Sequence, residues 1–173
     1  MLDAPVLGSI SEAEAGDLQV FAGGPSALVG RWTPLLSALG SVRHVGPLGS
    51  GAAAKLVANS TLFGVLAVLG EALALGNALG LPRATVFDLL SVTPLAAQAE
   101  RRRSAVEADD FPMRFALALA RKDAGLVHEA ATDAGADLRV ARAARDWLRD
   151  AEAGGWGERD YSSIVAWILR HAG

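Results

Sequence analysis

Two polar side chains interrupt the most apolar part of the chain: Lys55 and Asn59, in Gly51-Ala52-Ala53-Ala54-Lys55-Leu56-Val57-Ala58-Asn59. Four residues apart on a helix, they share one face. A partly buried amine near a helix N-terminus is desolvated and meets the positive end of the helix dipole. Both effects lower its pKa toward the range in which it exchanges protons. Asn59 would then hold the amine or a substrate oxygen. The same spacing equally suits a lysine that reaches solvent along its alkyl stem and an asparagine that satisfies a neighbour.

Just upstream, Gly49-Ser50-Gly51-Ala52-Ala53-Ala54 has the form G-x-G-x-x-A, with Glu71 about twenty residues on, the outline of a dinucleotide-binding turn. Its context is wrong. Gly46-Pro47-Leu48 separates the preceding strand from the first glycine, and no second parallel strand is expected after the helix. The remaining chemistry-bearing types are sparse: there is no cysteine, and His44, His128 and His171 are scattered, so thiol chemistry, disulfides and a metal centre are not expected. His44 reads as a surface or interface residue. Arg101-Arg102-Arg103 is answered by Glu100, Glu107, Asp109 and Asp110 and reads as a solvated, charge-balanced helix face. Trp32, Trp147, Trp156 and Trp167 read as packing anchors, and Asp160 before Ser162-Ser163 as a helix-capping cluster.

The elements that must position these residues fit in 173 residues, the size of one domain or one domain plus a fragment. Half the residues are hydrophobic, enough for a sizeable core, and 16 basic against 19 acidic residues leave no electrostatic footprint for nucleic acid. Leu62 to Gly70 is wholly apolar but shorter than the ~20 residues of a membrane span. It therefore reads as a buried helix, packed partly against a second subunit. Met1-Leu2-Asp3-Ala4-Pro5 has no basic segment of the signal-peptide kind, and the absence of cysteine suits a reducing compartment, so a cytoplasmic location is expected.

Strands are expected over Met1 to Val6, Leu18 to Ala22 and Ser41 to Val45, with a helix from Pro25 to Gly40 between the last two. A long helix follows from about Gly51 to Gly80, where Gly80 stops it and Pro82 opens the next. Later helices are expected over Pro82 to Val92, Pro94 to Ala108, Met113 to Asp133, Leu138 to Ala153 and Asp160 to His171.

Four segments in order resemble one family. They are Asp3-Ala4-Pro5-Val6-Leu7-Gly8-Ser9 with Ala15-Gly16-Asp17-Leu18 and Gly23-Gly24; Gly46-Pro47-Leu48-Gly49-Ser50-Gly51 running on through Lys55 to Asn59; Phe115 to Leu126; and Asp160-Tyr161-Ser162-Ser163. Together they resemble the β-hydroxyacid dehydrogenases, which include 3-hydroxyisobutyrate dehydrogenase, tartronate semialdehyde reductase and glyoxylate/succinic semialdehyde reductases. The resemblance implies a mostly α fold with a small β remnant. Residues 1–46 would be the last strands of a Rossmann-type NAD(P)-binding domain, and residues 47–173 a helical domain like that of 6-phosphogluconate dehydrogenase, with one long central helix.

It further implies hydride exchange between NAD or NADP and a small hydroxy acid or semialdehyde in a homodimer. Lys55 matches the general acid/base and Asn59 the residue that orients it and the substrate. Leu7, Gly8 and Ser9 match the cradle for the substrate carboxylate, although many relatives carry Ser-Gly-Gly there. Lys122 matches a lysine that reaches the cofactor. The true glycine fingerprint is missing, so this chain by itself is expected to bind nucleotide weakly or not at all. The competing expectation is a non-catalytic helical dimerisation module.

Overall fold

Alternation of apolar residues in Leu18–Gly23 makes β2 the centre of the only sheet among the described residues, with Leu18, Val20 and Ala22 buried. The computed structural model describes residues 1–172. In the sheet, β1 (Val6–Leu7) pairs antiparallel to β2 and β3 (Gly40–Gly46) pairs parallel to it, in the order β1-β2-β3. The register aligns Val6 with Val20, and Leu18 with Gly40. Between β2 and β3 runs α2 (Ser26–Leu36), whose Val29 is buried, so β2-α2-β3 is a parallel crossover unit. The strand expected over Met1 to Val6 is reduced to Val6–Leu7 plus a bridge between Asp3 and Gly23. Pro5 lacks the N–H that a continuous ladder needs, though its carbonyl still accepts from Phe21 N at 2.9 Å.

Sequence reading missed α1 (Ile10–Ala15). Its signals are short but present: Ser9 and Glu12 in capping-box spacing, and Gly16 in the left-handed conformation at its end.

Contacts divide the chain into two compact units, Met1–Asn59 and Ser60 onward, and the division falls inside the long helix α3 (Ser50–Ala78). Its end follows the expected chemistry: Gly80 takes φ 76°, and Leu81 N donates to Gly76 O at 2.9 Å. The second unit is helical, with α4 (Arg83–Leu90), α5 (Ala96–Ala108), α6 (Leu117–Asp133), α7 (Arg139–Ala151) and α8 (Ile164–His171). Its core gathers Phe63, Leu66, Leu69 and Leu73 of α3 with Phe87, Leu117, Leu148 and Ile168. By length and composition α3 is apolar enough to cross a membrane, unlike the short run weighed in the sequence. Its buried side chains belong to the core of the second unit, while just over half of the apolar stretch stays uncovered. Leu66, Leu69 and Gly70 are buried within the unit, so the run from Leu62 to Gly70 is mostly covered without a second subunit.

Three boundaries differ from the sequence reading for identifiable reasons. α6 starts at Leu117, not Met113, because Arg114 N and Phe115 N donate to Asp160 Oδ2 (2.8 and 3.1 Å) and Ala116 bridges to Asp160, which holds this segment extended. After α7 the chain widens into a π-helical turn, Glu152–Trp156, in which Gly155 has φ 86°. The last helix is preceded by a 3₁₀ turn, Tyr161–Ser163, capped by Asp160. The arginine run also needs correcting. Arg102 is buried, its Nη2 donating to Tyr161 Oη at 2.9 Å while its Nε has no partner, whereas Arg103 pairs outside with Asp88 and Glu107. At 100° per residue, the middle of three consecutive arginines can face inward while its neighbours remain outside.

Candidate functional site

The N-terminal turn of α3 is held by a carboxylate from the first residues of the chain. Asp3 Oδ1 accepts from Gly49 N and Oδ2 from Ala52 N, both at 2.7 Å. These bonds, Gly49 first and Ala52 second, hold the Asp3 carboxyl below its ordinary pKa. The approach is close because Gly51 has no side chain: a Cβ there would meet Phe21 O and lie 2.6 Å from Asp3 Oδ2.

Lys55 and Asn59 follow on α3 one turn apart, Lys55 half-buried and Asn59 at 4% exposure. The sequence reading placed the helix dipole's positive end beside the amine. In the structure a fixed negative charge occupies that end and opposes the dipole. The same bonds bear on the glycine pattern. The Gly49 and Ala52 amides face Asp3, and a diphosphate in their place would confront a carboxylate. The residues here do not fit the pyrophosphate of NAD or NADP.

The loop after β1 is similarly committed. Ser9 donates to Glu12 Oε2 from its backbone N–H (2.8 Å) and from its hydroxyl (2.6 Å), and Ser11 Oγ adds a third bond at 3.1 Å. Together these donors, the Ser9 hydroxyl foremost, pull the Glu12 carboxyl down to about 2. Leu7 and Gly8 lie beside this turn, Leu7 as the last residue of β1.

Lys122 lies on α6, in the second unit. Its Nζ is 3.1 Å from Asp123 Oδ1, and its side chain is 58% exposed. α6 is registered by Asp160, whose Oδ1 accepts from Ser162 N (2.9 Å) and Ser162 Oγ (2.5 Å) while Oδ2 holds the segment before Leu117. Arg121, beside Lys122, pairs with Glu152 of the π-helical turn at 2.6 Å. Among the described residues, no group of three or more His, Asp or Glu side chains is placed to hold a metal ion.

Sequence reasoning overlooked Asp3 and Glu12 as structural parts of this region. Glu12 was readable from the Ser9-x-x-Glu12 spacing. Asp3 was not, since its partners are 46 and 49 residues away. A compositional signal also went unread: among sixteen lysines and arginines, Lys55 and Lys122 are the only lysines.

Comparison with known proteins gives a consistent picture. Residues 49–168 match the family model described as the NAD-binding region of NADP-dependent 3-hydroxyisobutyrate dehydrogenase, and residues 1–49 match the NAD-binding domain of 6-phosphogluconate dehydrogenase. Relatives include 2-(hydroxymethyl)glutarate dehydrogenase of Eubacterium barkeri, 34% identical over 95% of this chain and 56% of its own length. The 3-sulfolactaldehyde reductase of Escherichia coli is 32% identical over 100% of this chain and 59% of its own. Among solved structures, the 3-hydroxyisobutyrate dehydrogenase of Mycobacterium tuberculosis, determined with L-serine, superposes with a TM-score of 0.84 at 28% identity, covering 95% of this chain and 60% of that one. The chain thus spans between 56% and 60% of the length of these relatives. Since the larger of the two matched regions alone takes in most of the chain, and its ordered segments are those carrying Lys55, Asn59 and Lys122, the chain belongs to the β-hydroxyacid dehydrogenase family of the 3-hydroxyisobutyrate dehydrogenase type.

Proposed function

We propose that this chain supplies the substrate-side acid/base residues of a nicotinamide-dependent oxidoreductase acting on a small β-hydroxyacid or the corresponding semialdehyde. The observation that carries this reading is the placement of the two lysines. A chain that uses arginine at every other basic position keeps lysine at 55 and 122. A guanidinium stays protonated at any working pH, whereas an amine can give up its proton when its surroundings favour it. Lys55 takes the hydroxyl proton during oxidation and returns it to the carbonyl oxygen during reduction. Asn59, buried one turn on, orients the amine and the substrate oxygen. Leu7, Gly8 and Ser9 are the proposed seat of the substrate carboxylate, with Ser9 exchanging Glu12 for the substrate.

Lys122 is assigned to the cofactor side, where it offers one positive charge to NAD or NADP. One charge does not replace a glycine turn with its inward-facing amides. The chain by itself is therefore proposed to bind nucleotide weakly and to lack turnover. Calorimetric titration with NAD and with NADP tests this: heat of micromolar binding, or nucleotide-dependent oxidation of 3-hydroxyisobutyrate by the chain alone, would show a cofactor site elsewhere in it. Fusing the chain to the N-terminal half of a relative should restore both.

Homodimerisation is proposed through a different face of α3 from the buried run. Val68, Leu75 and Leu79 are 46%, 60% and 69% exposed, and at 100° per residue they fall within about 40° of one another. Leu75 also lines a groove of about 580 Å³ with Trp147 and His171. This stripe equally supports the second reading, a helical dimerisation module without catalysis. Turnover that depends on Lys55 in the fused protein separates the two.

A further inference from the structure

We propose that Asp3 is a positioning residue for Lys55: by bridging β2 to the first turn of α3, it fixes where the amine stands. The proposal rests on the reading of Lys55 as the acid/base. Asp3 is anchored on one side by the backbone, with Asp3 N donating to Gly23 O at 3.0 Å and Gly23 N to Asp3 O at 2.8 Å. On the other side its two carboxylate oxygens each take one amide of the α3 turn. A Cβ on Gly23 would meet Asp3 Oδ1 and lie 2.7 Å from Gly51 N, so strand, carboxylate and helix are in mutual contact, with two glycines clearing the space.

This arrangement reaches Lys55 through helix geometry. Gly51 and Ala52 lie four and three residues before Lys55, hence on its face. Helical side chains lean toward the N-terminus, so Lys55 leans over the turn that Asp3 grips. A neutral cap would satisfy one amide. A carboxylate takes both and fixes the rotation of the turn about its axis, because two acceptors on one rigid group match only one orientation of two donors. Its charge also stabilises the helix end. An ordinary N-cap comes from the residue next to its helix. Here it comes from 46 residues away, so the cap ties the helix to the sheet as well as ending it.

The full chain tests this without turnover, because Lys55 and Lys122 are its only lysines. Reductive methylation with ¹³C-formaldehyde gives one resonance for each beside that of the N-terminal amine, the two lysine resonances being assigned with Lys55→Arg and Lys122→Arg, and the rate of modification at Lys55 relative to Lys122 reads the standing of the amine. In Asp3→Asn the resonance of Lys55 should move and its modification rate relative to Lys122 should change several-fold. Lys122 should keep its shift and rate. Asp3→Ser, which like the amide keeps a single acceptor but brings no NH2 group against the Gly49 and Ala52 amides, is the second variant if the amide variant does not fold, and should show the same change. A cap with only a structural role would lower the melting temperature of folded protein and leave the Lys55 signals in place, and that result would overturn the proposal. It would leave the acid/base assignment standing, since that assignment fails only if turnover survives loss of Lys55.

Discussion

Lys122 and Glu12 carry sharp expectations at the level of single residues. In the fused protein, Lys122→Ala should weaken nucleotide binding and leave kcat at saturating nucleotide nearly unchanged, the reverse of a proton-transfer defect. Calorimetry reading the same affinity in both forms would remove Lys122 from the cofactor side. Glu12 tests the Ser9 turn. Its carboxyl drops from the ordinary 4.5 to about 2 in the folded chain. A depressed acid contributes its stabilisation in full above the unfolded value, and loses it as pH falls from there through the folded value. Protection of the Ser9 amide from exchange should therefore hold above pH 4.5 and decay toward pH 2. In Glu12→Gln that decay should vanish. Residues of this kind were unequally legible. Lys55 and Asn59 stand out as a candidate pair by i,i+4 spacing in an apolar run, and Glu12 is readable from capping-box spacing. Asp3 was invisible, because hydrogen bonds to amides 46 and 49 residues away leave no local pattern.

Helices and strands were read where their signals are periodic or punctuated. The long helix came within two residues of α3 at each end, since Gly80 ends it by a left-handed turn and Pro82 opens the next. The local pattern starts α6 four residues too early, because nothing local to Met113 announces that Asp160 will hold Arg114 and Phe115 extended. That clamp should be costly to lose. Asp160 is 2% exposed and accepts from two backbone amides before α6, from Ser162 N and from Ser162 Oγ. Asp160→Ala leaves buried donors unpaired and should lower unfolding free energy by about 3 kcal/mol or more in urea titration. A loss under about 1 kcal/mol would mean that water replaces the carboxylate. Where α3 and α8 cross, Gly70 lies against Ile168, and a Cβ would come within 2.9 Å of Ile168 Cβ. Gly70→Ala should cost about 1–3 kcal/mol by overpacking, despite the better helix propensity of alanine.

At the level of the whole molecule, the division between the two units falls inside the helix that carries Lys55, and the proposed dimer contact uses the exposed Val68, Leu75 and Leu79 of its second part. Sedimentation at micromolar concentration should show a dimer, and Leu75→Lys with Leu79→Lys should return a monomer of unchanged helicity. A monomer in the unsubstituted protein would remove the stripe from the interface. The fold class was legible because ordered motifs recur across nearly the whole chain. Which face of α3 is left exposed was not, because an apolar residue in a greasy helix serves a core and an interface equally well. The Leu62 to Gly70 run, which by its pattern suits a buried helix packed partly against a second subunit, lies largely in the core of its own unit.

Catalysis by Lys55 is tested most directly by Lys55→Arg in the chain fused to the N-terminal half of a relative. Arginine keeps the positive charge and the helical preference but holds its proton throughout the working range. Steady-state oxidation of 3-hydroxyisobutyrate should fall in kcat by about 10²–10⁴, the range general acid/base groups supply, with nucleotide affinity unchanged. Turnover within tenfold of the unsubstituted protein would contradict proton transfer by Lys55.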